Sequence, residues 1–219
     1  MKAVTKAPPN PSSKPPLPAV WIASAVAAVV VVAAAGVVFG LRRHTQPSLS
    51  GGVLSDMPQA PDFSLSDQNG QTVAMSRLKG KVVALTFLYT HCPDVCPLIG
   101  SQLAAADQRL GADAKNVGIV SVSVDPSGDT LPSVKKFTED HNLAGQSNWH
   151  YLMGSPGQLK PVWDAYHVGS SATSEGAVQG ADHSALVYLT DTTGRLRVIL
   201  SANFRVSDFV QDAQALLKS

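Results

Sequence analysis

Hydrophobic positions fall along the chain in several distinct periods. From Ala19 to Leu41 the run is almost wholly apolar, with Ser24 as its only polar side chain. That length matches the roughly 20 residues a helix needs to cross a bilayer. A second near-continuous run, KVVALTFLY from Lys81 to Tyr89, is short and rich in β-formers, and predicts a buried central strand. DFSLSDQNGQTVAMS alternates on either side of Asn69-Gly70 and predicts a hairpin.

Further elements follow in order. Pro97 is expected to open a helix through Leu110, because proline suits a first turn. Asn116 to Asp125 reads as the next strand. Leu131 to Leu143 carries Val134, Phe137 and Leu143 at helical spacing. Trp149 to Met153 reads as a short strand. Ser155-Pro156 is a cap followed by proline, leading a helix through Tyr166. Ala185 to Thr190 and Leu196 to Leu200 flank the turn at Asp191–Gly194 and form a second hairpin. Ser207 is expected to cap a last amphipathic helix with Phe209, Val210, Ala213, Leu216 and Leu217. A strand–helix–strand unit demands parallel strands, and the terminal hairpin adds antiparallel ones. The expected class is a three-layer α/β domain with a mixed sheet, spanning residues 58–219.

The flanks differ in composition. Residues 1–18 hold six prolines with Lys and Ser, a composition that builds no core and reads as a disordered tail. Residues 42–57 read as a linker, Ser/Gly-rich over residues 44–57. The apolar segment 19–41 reads as a transmembrane helix. Its rivals are a cleaved signal peptide ending near Ala33-Ala34-Ala35 and a buried core helix. Lys2, Lys6 and Lys14 precede it; Arg42 and Arg43 follow it. The positive-inside rule narrowly places the amino terminus in the cytoplasm and the domain outside. From Asp56 onward there are 12 Lys+Arg against 16 Asp+Glu. A mildly acidic domain lacks the basic face that nucleic acid requires.

The chain has two cysteines, four residues apart. A disulfide closing so short a loop adds little stability, so the pair reads as chemical. Thr90 to Pro97 (THCPDVCP) lies where the central strand hands over to a helix. Free N–H groups and partial positive charge at a helix start favour the thiolate. Two thiolates suit monovalent copper, with zinc next. Alternatively they cycle as a redox pair, or they are two small buried side chains. A metal would need a third ligand. His183 stands just before an apolar strand. If that strand runs antiparallel to Lys81–Tyr89, its start lies beside Cys92 and Cys96. His44, His91, His141, His150 and His167 read as surface or helix-end residues. Asp125 and Asp129 fit a turn and helix-cap role, with a place beside the site or facing a partner as the alternative. Asp94 and Asp182 read equally as solvated turn residues or as charges that tune the site.

GKVVALTFLYTHCPDVCP resembles the signature of the Sco/SenC family of copper-binding cytochrome c oxidase assembly proteins. So do VSVDPSGDT (Val122–Thr130) and DHSALVYLTDTTG (Asp182–Gly194). All three occur in the family's order. The resemblance implies a thioredoxin-like fold, preceded here by the hairpin and the single transmembrane helix. It implies one copper ion held by Cys92, Cys96 and His183. The implied role is that of a metallochaperone serving the copper-site subunit of cytochrome c oxidase. Other copper chaperones or thiol reductants are implied partners. The implied location is the bacterial inner membrane, facing the periplasm, or the mitochondrial inner membrane. The alternative function is a thiol–disulfide oxidoreductase that keeps the oxidase's copper-site cysteines reduced. A thiol peroxidase is a third reading, but no arginine lies near the cysteines in sequence. One departure stands out: the family usually has arginine where this chain has Gly128. That arginine is not a metal ligand, so the departure bears on a partner or a neighbouring carboxylate.

Overall fold

Seven consecutive buried residues, Val82–Leu88, form the central strand β4 of a mixed sheet. The computed structural model describes residues 49–168 and 185–219. The Pro-rich tail, the apolar segment 19–41, His44, residues 169–182 and His183 lie outside the described residues. Among the described residues no helix is long and apolar enough to cross a membrane.

In chain order the strands are β1 (Gly52–Val53), β2 (Ser64–Asp67), β3 (Thr72–Ala74), β4, β5 (Val117–Ser123), β6 (Trp149–Met153), β7 (Leu186–Thr190) and β8 (Leu196–Ser201). The helices are α1 (Val95–Leu110), α2 (Leu131–Asp140), α3 (Pro156–Ala165) and α4 (Val206–Leu216). The sheet order is β1-β8-β7-β4-β5-β6-β2-β3. β4 pairs in parallel with β5, and β5 with β6, while β7 runs antiparallel to β4. Both sheet edges are short, with two residues in β1 and three in β3.

Alternation along β4 splits the core into two layers. Val82, Ala84 and Leu88 face α1, α2 and α4 through Ile99, Leu103, Phe137, Phe209 and Leu216. Val83, Leu85 and Phe87 face α3 through Leu159, Val162 and Trp163, together with Phe63 and Leu65. The hairpin β2–β3 turns at Gly70, whose φ of +74° suits a residue without Cβ. Asp67 Oδ1 accepts the N–H groups of Asn69 and Gln71 there.

Several boundaries differ from expectation. α1 begins at Val95, two residues before Pro97, so Cys96 lies inside the first helical turn. α4 begins at Val206, so Arg205 rather than Ser207 occupies the cap position, and it makes no side-chain capping bond. Phe204 packs on Phe209 with ring centroids 5.6 Å apart, an apolar contact across the helix start that sets where the chain enters. Part of the stretch read as linker belongs to the domain: β1 pairs with β8, and the N–H groups of Ser50 and Gly51 donate to the fully buried Asp212 carboxylate at 2.6 and 3.1 Å. No side chain fits at position 51, where a Cβ would overlap Val198.

Candidate metal centre

β4 ends at Leu88, and the chain turns through Tyr89, Thr90, His91 and Cys92 before α1. The Cys92 N–H donates to the Tyr89 carbonyl at 3.4 Å. Asp94 sits at the cap position of α1 but makes no side-chain capping bond. The free N–H of Cys96 in the first turn donates instead to Cys92 Sγ at 3.4 Å. A sulfur thus takes the place usually held by a capping oxygen. Both cysteines are free thiols, 8% and 3% exposed.

The two thiols are driven in opposite directions. Burial opposes ionisation of Cys92. The Cys96 thiol, the N–H groups of Asp94 and Cys96, and the Tyr89 hydroxyl all donate toward it. Together they outweigh burial and hold Cys92 below the ordinary thiol range. Burial pushes Cys96 far up, and its bond to Cys92 and the nearby negative charge of Cys92 and Asp129 push the same way. Tyr89 is pushed up to about 12 by burial, by its bond to Cys92, and by the charges of Cys92, Cys96 and Asp125. Of the two, the inner thiol therefore holds its proton the more firmly.

Asp129 organises the loop. The expectation of a capping role is corrected here: Thr130 caps α2, in a reciprocal bond with Ser133. Asp129 is buried instead. Its Oδ1 accepts the Thr90 N–H at 2.8 Å, and its Oδ2 accepts the Ser123 and Tyr151 hydroxyls at 2.5 and 2.9 Å. The ends of β4 and β5 and the middle of β6 are thereby tied to the segment that carries the cysteines. Burial first, then the Asp129 charge and bond, hold the Tyr151 proton in place well beyond the usual phenol range. Asp125 lies at the next turn, where its Oδ1 accepts the Gly128 N–H at 2.9 Å.

The structure brings Cys92 and Cys96 together. It follows the chain toward the third candidate as far as Ala185. β7 pairs Val187 with Thr86, and Thr86 Oγ1 donates to the Leu186 carbonyl at 2.9 Å, so the described chain resumes beside the end of β4. His183 and Asp182 themselves lie outside the described residues. Of the other histidines, His141 bonds the Phe137 carbonyl, His150 pairs with Asp67 at 2.9 Å, and His167 closes α3. Among the described residues no three or more His, Cys, Asp or Glu side chains converge to hold a metal. Tyr89, Ser123 and Tyr151 escaped the sequence reading. Tyr89 carried a signal, ending the apolar run three residues before Cys92. Ser123 and Tyr151 looked like ordinary strand residues.

Comparison with known proteins follows the same residues. Residues 54–218 match the family model described as SCO1/SenC. The SCO1 protein homolog of Bacillus subtilis is 34% identical over 92 residues, covering 42% of this chain and 47% of that protein. Protein SCO1 homolog 1, mitochondrial, of Arabidopsis thaliana is 36% identical over 134 residues, covering 58% of this chain and 37% of that protein. The chain therefore spans less than half the length of either relative. The structure of Bradyrhizobium japonicum ScoI with copper bound is 31% identical, with a TM-score of 0.60 over 71% of this chain and 98% of that one.

Proposed function

This chain belongs to the SCO1/SenC family, and on that premise we propose that it is a membrane-anchored copper carrier, with Cys92, Cys96 and His183 as its ligands, that assists assembly of the copper centre of cytochrome c oxidase. The observation that carries the reading is the pair of free, adjacent thiols at the start of α1, one of them held in easy reach of ionisation. Thiolate sulfurs are soft donors and suit copper over harder ions. Copper is the ion bound in the related Bradyrhizobium ScoI. An imidazole from His183 would complete a two-sulfur, one-nitrogen site. The antiparallel register of β7 on β4 supports it, since the described chain resumes two residues after His183, level with the end of β4.

The apolar segment 19–41 serves as the single span, with the domain on the extracytoplasmic side. Relatives occur in bacteria and in mitochondria, and the bacterial inner membrane is the location we propose. The deciding experiment is copper titration of the reduced protein against its Cys92→Ser, Cys96→Ser and His183→Ala variants. Stoichiometric binding that weakens sharply in each variant supports the reading. Unaltered affinity in either serine variant removes it.

A second reading rests on the opposed thiols. The Cys92 thiolate can attack a partner disulfide, forming a mixed disulfide and releasing one partner thiolate. Cys96, once deprotonated, then attacks Cys92 sulfur and frees the second partner thiolate. The partner gains two electrons, and Cys92–Cys96 becomes the disulfide. The same thiols must be reduced to hold copper, so the two activities exclude each other in time rather than in principle.

A further inference from the structure

Gly128 lets two polar side chains approach the backbone closely beside the thiol loop, and their chemistry is specific. A Cβ at position 128 would overlap Asp125 Oδ2 and approach His91 Nδ1 to 3.1 Å. The glycine accordingly lets a carboxylate and an imidazole face one another over the same spot. Asp125 is fixed by its other oxygen, which accepts the Gly128 N–H. Its Oδ2 takes no hydrogen bond among the described residues. His91 is exposed, and its Nδ1 lies 3.2 Å from Thr90 Oγ1, so a hydroxyl stands beside the same nitrogen. His91 immediately precedes the outer cysteine, Cys92.

We propose that Asp125 Oδ2 and His91 Nδ1, with Thr90 Oγ1 beside them, form a second, outer copper site over Gly128. The inference rests on the copper reading above and deepens it. Imidazole nitrogen and carboxylate oxygen suit divalent copper, whereas the inner thiolates suit the monovalent ion. The remaining coordination is water, which an exposed position supplies. Such a site holds the ion weakly at the mouth of the thiol pair. Any side chain at position 128 would displace the Asp125 carboxylate from it.

The test removes the inner site. The full chain carrying Cys92→Ser, Cys96→Ser and His183→Ala is titrated in detergent with divalent copper chloride and followed by electron paramagnetic resonance. One copper is expected, bound more weakly than by the parent chain, with a mixed nitrogen–oxygen signature. Adding His91→Ala, Asp125→Asn or Gly128→Ala should weaken it by about ten-fold or more. Circular dichroism confirms that each variant is folded, and the first two decide the matter if Gly128→Ala is not. Absence of copper binding in the thiol-free chain overturns the proposal. So does binding that His91→Ala and Asp125→Asn leave unaltered, which would assign the ion to other histidines. The inner-site reading fails on a different measurement, the titration of single serine variants in an otherwise intact chain.

Discussion

Asp129 Oδ1 accepts the backbone N–H of Thr90 at 2.8 Å, across 39 residues of sequence. Two residues after Thr90 comes the outer cysteine. The carboxylate is buried, and its second oxygen is shared by Ser123 and Tyr151. The position of the thiols therefore depends on a residue that is not a ligand.

Asp129→Ala leaves the part-buried Thr90 N–H and the buried Ser123 hydroxyl without their acceptor, while the Tyr151 hydroxyl keeps the Leu88 carbonyl at 3.2 Å. Each such loss costs about 1–3 kcal/mol, and the two relax together. The expected destabilisation is about 3 kcal/mol in urea unfolding, with Asp129→Asn milder. Copper affinity should fall in both variants, because the turn before Cys92 loosens. A variant as stable as the parent would remove Asp129 from this role.

The two thiols should differ in reactivity. Cys92 is the more exposed and the more readily ionised, so it should be alkylated about ten-fold faster than Cys96 near neutral pH. Tyr89→Phe removes one donor to Cys92 and should move its alkylation profile to higher pH. Peptide mass mapping after brief iodoacetamide treatment reads both effects. Equal labelling of the two cysteines would contradict the assignment.

Alkaline pH should weaken the fold through Cys96. Burial raises its pKa in the folded chain above the ordinary thiol value of 9.0. As pH rises, the unfolded chain gives up this proton first. The stabilisation is thus fully present below about pH 9 and is lost progressively above it. Tyr151, also raised, adds the same sign from about pH 10. Cys92 is lowered and has the opposite sign. Cys96→Ala should therefore flatten the alkaline decline in unfolding free energy, and Cys92→Ala should not.

Trimming the chain to begin at Pro58 should cost stability that a start at Leu49 retains. The shorter fragment loses β1 and both N–H donors to Asp212. Stranding that buried carboxylate is expected to cost about 2 kcal/mol, measured by thermal or urea unfolding of the two fragments. Identical midpoints would show that the strap carries no energy.

His183→Ala is expected to abolish most divalent copper binding at the inner thiol site, leaving only the weak outer site, and to weaken monovalent binding less. The Cys92–Cys96 redox potential should barely move. Metal titration and thiol–disulfide equilibration on one variant make the comparison. Intact copper binding with a shifted potential would favour the oxidoreductase.

The strands and helices were legible because their periods are strong. Trp149–Met153 was placed to the residue, and the buried run at β4 was unmistakable. Boundaries set by contacts distant in sequence were not. Nothing local announces that Arg205 rather than Ser207 occupies the cap position of α4, since Phe204 meeting Phe209 decides it. Pro97 misled because proline fits anywhere in a first turn, and the cap bond it seemed to mark is made by Cys92 sulfur one turn earlier. The cysteines were found from their spacing. An aspartate before a helix looks like a cap, so the pattern around Asp129 points to a local role. Its partners come instead from the ends of β4 and β5 and the middle of β6.

The sheet is broad in the middle and nearly vanishes at both margins. With two residues in β1 and three in β3, neither margin offers enough free backbone to recruit a ninth strand from a second copy. Many such domains packed side by side would present one another with side chains rather than open hydrogen-bonding edges. Crowding, which would drive a longer-edged sheet toward aggregation, finds little here to pair with.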